Sequence, residues 1–330
     1  MSVADVIAQE RAKPSDALRI WAPLGLLLVC LAVAPLFGLP LFIQSLIIEI
    51  LTFSLLALSL NILLGYTGLV SFGHAAFFGI GGYAVAVIAT HFTTNILISM
   101  PLAIVVSAVC AVPLGWLSIR LSGFYFLMIT FAFAQIVYVA AFRWKWLTGG
   151  SDGMLVPTQT LFGASILVDR QPFYYFTLVV FVVCSVLLYL IVTSRFGRTL
   201  IGIRESTPRM RALGYNVRRY KLAAFVIGAT FGGVSGVLNS LFNLFIAPES
   251  AHWTQSALVL VMVLIGGAGY FVGPIIGTAI VILLQHWLSS HTESWGLVLG
   301  ILFIALITGA REGIAGLVVL AANRVRERTR

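Results

Sequence analysis

Along this chain apolar residues come in long unbroken blocks, separated by glycine, proline and short polar clusters. A block such as TLVVFVVCSVLLYLIV (177–192) is apolar on every face and so predicts a helix surrounded by lipid or protein. A membrane β-barrel would instead need ~10-residue strands of alternating polarity with a polar lumen face. Crossing a hydrocarbon layer takes about 20 helical residues. Read against their breakers, the blocks give ten candidate spans: 20–38, 41–64, 69–90, 97–119, 123–142, 173–194, 222–244, 254–267, 272–289 and 296–313. The predicted fold is all-α, a polytopic helical membrane protein of about ten transmembrane helices. A single transmembrane domain covers 20–313, with tails at 1–19 and 314–330.

Two places interrupt the pattern. GGAGYFVGP (266–274) splits the ninth block from an eighth too short to span alone, and GYTGLVSFGHAAFFGIGGY (65–83) is rich in glycine. Such segments mark either discontinuous helices beside a pathway or close packing through small residues.

Composition agrees with the pattern: 60% of residues are hydrophobic, 9% are charged, and the mean hydropathy is +1.05. The first block follows basic residues and contains Ala32-Val33-Ala34, as a cleaved signal peptide would. Its leader is long and mixed in charge (Asp5, Glu10, Asp16), however, and Pro35 follows the would-be cleavage site, so it reads as an uncleaved span. Cys30, Cys110 and Cys184 lie singly inside apolar blocks and read as small buried residues.

Charge sets the orientation. With ten spans and the N-terminus inside, 17 of the 20 basic residues fall on the cytoplasmic side, and only Arg143, Lys145 and Arg170 lie outside. Trp21, Trp116, Trp144, Trp146, Trp253, Trp287 and Trp295 cluster near span ends, as an interfacial belt does.

The lysines are Lys13, Lys145 and Lys221, and none follows a GxxxxG loop, so no phosphate cradle is encoded and any ATP is hydrolysed by another chain. Ser71 and His74, three apart, would share a helix face and raise an intramembrane hydrolase as one reading, without a nucleophile elbow or a nearby acidic orienter. Ionisable and amide groups within lipid face a cavity or a partner. Glu49, Asn61, His74, Gln135, Asn239 and Asn243 are therefore candidates for a substrate pathway, or for hydrogen bonds that hold the bundle together. Glu49 or His74 would be the coupling site of an ion-driven secondary transporter. On the outer side, the loop 143–172 contains LTGGSDGM (147–154). Gly149, Gly150 and Gly153 permit tight turns there, and Asp152 caps a helix or presents a charge. At about thirty residues the loop is long for a simple connector.

Between the spans, 195–221 carries eight basic residues against one acid, Glu205. It reads as a solvated loop that fixes topology, a segment drawn to anionic lipid, or a docking element for a soluble subunit. Pro208 after Ser206-Thr207 starts a short helix, and Gly214 with Asn216 stops it.

Five stretches, NILLGYTGLVSFGHAAFFGIGGYA (61–84), GFYFLMITFAFAQ (123–135), TGGSDGM (148–154), SRFGRTLIGIRESTPRMRALGYNVRRYKLAAFVIG (194–228) and LIGGAGYFVGPIIGTA (264–279), occur in an order and spacing that resemble the M-type permease subunit of branched-chain amino-acid ABC importers. The resemblance covers about 40–318. It implies a non-catalytic half-permease in a bacterial inner membrane, both termini cytoplasmic, paired with a homologous second permease subunit, two cytoplasmic ATPases and a periplasmic solute-binding protein. No cofactor or metal would sit on this chain, ATP and Mg being bound by the ATPases, and no nucleic acid is involved. The resemblance further implies that 200–216 forms the coupling helix, with Arg204, Glu205, Arg209, Arg211, Gly214 and Tyr215 at the ATPase. Gly149, Gly150, Asp152 and Gly153 would face the binding protein. The segment lacks the EAA-G-I-LP spelling of other importers. The family also includes permeases for urea, amides and aromatic acids.

Overall fold

A computed structural model of the chain describes residues 40–160, 169–291, 296–298, 300, 301, 303, 313, 314 and 316. The expected span 20–38, both tails, Cys30, residues 161–168 of the outer loop and most of the expected span 296–313 lie outside the described residues.

Eleven helices follow in order among the described residues: α1 (Leu41–Asn61), prolonged by a π turn (Ile62–Tyr66), α2 (His74–His91), α3 (Ile96–Ser118), α4 (Phe124–Arg143), a single turn α5 (Lys145–Thr148), α6 (Arg170–Thr193), α7 (Arg195–Glu205), α8 (Thr207–Ala212), α9 (Val217–Asn243), α10 (Trp253–Gly266) and α11 (Gly273–Ser289). Two short strands, β1 (Met154–Leu155) and β2 (Phe245–Ile246), pair antiparallel with Met154 opposite Ile246. Six helices, α1 with its π turn, α2, α3, α4, α6 and α9, are long and apolar enough to cross a membrane. At 1.5 Å per residue the 14-residue α10 reaches only about 21 Å, short of a hydrocarbon layer of about 30 Å. It packs on α11 as a tight hairpin: a Cβ on Gly277 would fall 2.0 Å from the Met262 carbonyl, and one on Gly266 would fall 1.9 Å from that of Gly273.

Three expectations change. The span expected from residue 69 starts as a helix only at His74, because Gly68 takes φ +71° and residues 68–73 leave the helix. The span expected from 222 starts at Val217, where the Asn216 side chain accepts the Arg219 N–H and caps the first turn. Arg218, Arg219 and Lys221 thus belong to a helix rather than a loop. The coupling helix expected over 200–216 is two helices, broken at Ser206 (φ −155°, ψ 92°), whose side chain caps the second by accepting the Arg209 N–H.

The core forms where α9 crosses α2 and α3 at backbone contact. A Cβ on Gly236 would lie 1.8 Å from the Phe78 carbonyl, and one on Gly233 would lie 2.4 Å from Ser107 Oγ. α1, α2 and α9 bury most of their residues there, whereas α3, α4 and α6 leave most of theirs facing outward.

Connections gather on two opposite faces. On one, the Thr160 N–H donates to Thr94 O (2.8 Å), and the Val156 N–H to Leu244 O (2.9 Å). On the other, Arg204 reaches Gly65, and Asn61 reaches Gly269 and Tyr270. This second face carries Arg120, Arg195, Arg198, Arg204, Arg209, Arg211, Arg218, Arg219 and Lys221 against Glu205. The first carries Arg143, Lys145 and Arg170 against Asp152 and Asp169.

The connection after α9 does not stay outside. Ile246 lies against Gly82, Ala251 against Gly79, and Ser256 accepts the Ala75 N–H at 2.8 Å, so residues 246–256 descend alongside α2 from its middle to its first turn. α10 therefore begins within the bundle.

Candidate functional site

The basic segment resolves into a seated part and an exposed part. α7 buries Gly197, Thr199, Leu200, Ile201 and Ile203 and leaves Arg195 and Arg198 outside, an amphipathic helix lying on the bundle end. α8 buries none of its residues. Arg209, Arg211, Leu213, Gly214 and Tyr215 are all exposed, and Gly214 adopts φ +85° in the turn before α9. The two helices are braced together: Met210 Sδ lies where a Cβ on Gly202 would come within 2.9 Å, and the Thr207 hydroxyl donates to Ile203 O at 2.9 Å. Tyr215 packs edge-on to Tyr220, which stacks on Phe196 at 5.6 Å between centroids. A shallow cavity of about 270 Å³ opens between Arg211, Tyr215, Asn216, Val217 and Arg218.

Of the six residues expected at the ATPase, the structure separates one. Arg204 turns back to the bundle, where its guanidinium donates to the Gly65 carbonyl and its stem covers Gly68. Carbonyls at a helix end have no helical partner, and a cation there also meets the negative end of the helix dipole. A Cβ on Gly65 would fall 2.2 Å from Asn61 Oδ1 and 2.5 Å from Gly269 N, so only glycine fits. Asn61, fully buried, accepts the Gly269 N–H (3.0 Å) and donates to Tyr270 O (3.0 Å). Hydrogen bonds thus run from α7 through the break after α1 to the break between α10 and α11.

The remaining pathway candidates are dispersed, and no hydrogen bond joins any two of Glu49, Asn61, His74, Gln135 and Asn239. Glu49 pairs with His286 of α11 at 2.9 Å on the half-exposed outer side. His74 is buried against Ser59, with Nε2 2.7 Å from its hydroxyl. That hydroxyl also donates to Leu56 O, which makes His74 Nε2 the donor and leaves Nδ1 without a protein partner among the described residues. Ser71 instead accepts from the Gly73 N–H. It precedes the start of α2, so Ser71 and His74 do not share a helix face and the geometry of a serine hydrolase is not assembled. Asn239 interacts with Asn243 along α9. Gln135 lies between Phe131 and Tyr138 on one face of α4, and those two rings meet Trp253 (5.6 Å) and His252 (4.9 Å).

The outer loop is compact. Gly149, Gly150 and Gly153 all have positive φ, and β1 pairs with β2. Asp152 stays exposed, accepting from Ser151 at 3.1 Å.

Sequence reasoning missed His286 and Ser59, and it marked Gly65 only as the start of a glycine-rich break; their partners lie up to 237 residues away in sequence. It also missed Glu249, which the span parity placed outside and the structure places in the re-entrant segment beside α2. The only local signal was Pro248-Glu249 between two apolar blocks.

A family model described as "Branched-chain amino acid transport system / permease component" matches residues 42–307. The high-affinity branched-chain amino acid transport system permease protein LivM of Salmonella typhimurium (strain LT2) is 29% identical over 283 residues, covering 79% of this chain and 67% of that protein. Its namesake in Escherichia coli (strain K12) is 28% identical with the same coverage. A probable branched-chain amino acid transport permease protein LivM of Methanocaldococcus jannaschii is 24% identical over 76% of this chain and 82% of its own length. No solved structure matches.

Proposed function

The chain belongs to the branched-chain amino acid transport system permease family, and from that premise we propose that it is the non-catalytic permease subunit of an ABC importer for branched-chain amino acids, driven by separate ATPase subunits that dock on α8. The observation that carries the docking assignment is the contrast between α7, seated in the bundle, and α8 with its following turn: α8 buries nothing, and Arg209, Arg211 and, in the turn, Tyr215 are exposed. A short helix braced at its base transmits a push as a rigid-body shift rather than absorbing it. Through Arg204, Gly65 and Asn61 that shift reaches both interrupted segments, where the spans can bend without breaking a continuous helical ladder.

In this reading the basic face is cytoplasmic, both termini lie inside, and the second permease subunit covers outward-facing helices of the bundle. ATP and Mg belong to the ATPases. The compact outer loop, with Gly149, Gly150, Asp152 and Gly153 at its tip, receives a solute-loaded binding protein. The test is co-purification of the ATPase from membranes. Arg209→Glu and Arg211→Glu each leave the permease in the membrane at its normal level and weaken ATPase retention and leucine uptake together. If both retention and uptake survive the two substitutions, the docking assignment is wrong.

A further inference from the structure

We propose that Glu249, the start of α10 and Tyr83 form a binding site for the zwitterionic head of an α-amino acid midway through the bundle; this rests on the reading of the chain as an amino-acid permease.

Depth comes first. α2 runs from His74 to His91, and the segment after β2 lies beside Gly79 and Gly82, about 8–12 Å from the start of α2 and well inside the layer it crosses. Pro248 to Ala251 form a 3-10 turn there, with Pro248 and Ala251 buried and Glu249 exposed. Irregular backbone at this depth persists only where protein covers it or where it lines a watery cavity. A carboxylate at this depth is costly and faces a partner, a cavity or a ligand. Among the described residues Glu249 has no ion pair.

Two groups beside it lack partners as well. α10 starts at this turn with no side-chain cap, so the Trp253 and Thr254 N–H groups and the positive end of the helix dipole are available to an anion. The Tyr83 side chain, only 8% exposed, carries a hydroxyl with no hydrogen-bond partner among the described residues, and Tyr83 lies one helical turn beyond Gly79, against which Ala251 of the 3-10 turn packs. Opposite charges, separated by one turn of chain, match the two ends of an amino-acid head: ammonium on Glu249, carboxylate on the α10 N-terminus, and the Tyr83 hydroxyl donating to either carboxylate. Phe131 of α4 and Trp253, 5.6 Å apart, supply an apolar wall for the side chain. Within this family the arrangement selects a neutral α-amino acid with an apolar side chain. Urea and simple amides carry no ammonium for Glu249.

The complete transporter, reconstituted in proteoliposomes with its ATPases and a saturating amount of binding protein, is tested with leucine as the probe, and uptake is normalised to assembled permease. Glu249→Gln lowers uptake by about tenfold, the factor that a hydrogen bond to a charged group supplies, and Glu249→Asp recovers part of it. Tyr83→Phe, which keeps the ring, lowers uptake by a smaller factor at the same protein level. Uptake within twofold of wild type in both Glu249→Gln and Tyr83→Phe overturns the site, as does a Glu249→Asp variant no better than Glu249→Gln. Leucine uptake by the wild type, and its loss in Arg211→Glu, measure the permease reading itself, so the two readings fail separately.

Discussion

Residues 195–216 and residues 244–256 are opposites. The first is dense in arginine, helical and held at the end of the bundle; the second has one carboxylate, passes from a two-residue strand through a 3-10 turn into α10, and enters the bundle beside α2. The conspicuous charge lies at the end of the bundle, where the proposed docking would use it for contact and leverage. The single inconspicuous charge, though exposed on this chain, lies at membrane depth, where a carboxylate faces a partner, a cavity or a ligand.

That contrast is most severely tested by filling the space on which the inner segment depends. Gly79→Leu drives a side chain into Ala251, already 2.6 Å from where a Cβ would sit. It costs roughly 3 kcal/mol or more, read as loss of folded permease from the membrane fraction. Next, Leu200→Ala empties a buried position of α7 and costs about 2–5 kcal/mol of thermal stability in detergent. Leu213→Ala, at a side chain 66% exposed beyond α8, costs less than about 0.5 kcal/mol and acts instead on ATPase retention. Equal effects of the two leucine substitutions would erase the distinction between seated and exposed parts.

Between the two leucines in size, Arg204→Ala removes a charge-assisted hydrogen bond worth about 1.5–3 kcal/mol and lowers the leucine moved per ATP while the ATPase stays bound. Asn61→Ala lowers the same ratio, and the double variant is no worse than the poorer single one, because both residues belong to one linked set. A small effect is expected of Glu49→Gln as well. The pair with His286 is half-exposed and the amide can still hydrogen-bond, so stability changes by about 0–1 kcal/mol, measured as an unchanged melting temperature.

Much of the bundle was legible in the sequence because a span-length apolar run has few other fates: 97–119 and 123–142 match α3 and α4 to within a residue or so. The break at 266–274 was legible from its glycines and proline. What was hidden followed from geometry that composition does not encode. Arg218, Arg219 and Lys221 looked like loop because charge leaves lipid, yet a helix keeps its ladder as it emerges into water, and Asn216 caps it there. Residues 69–73 looked like span because they are mostly apolar, yet Gly68 with φ +71° ends the helical run before them.

The pathway candidates show the same limit. Glu49 and Asn61 were conspicuous as polar residues in apolar blocks, but their partners, His286 and Gly269 with Tyr270, come from the far end of the chain. Glu249 was passed over because a proline and an acid between two spans look like an ordinary outer turn. Counting spans assigns such a turn to one side of the membrane. It does not register a turn that comes back in.

In the proposed docking, α8 and its following turn, rather than α7, meet the ATPase. A photo-crosslinking residue placed singly at each position from 195 to 215, in the assembled transporter, tests it directly. Adducts with the ATPase are expected from positions 209, 211, 213 and 215 and none from 200, 201 or 203. Adducts from the buried positions of α7, with none from α8, would contradict it.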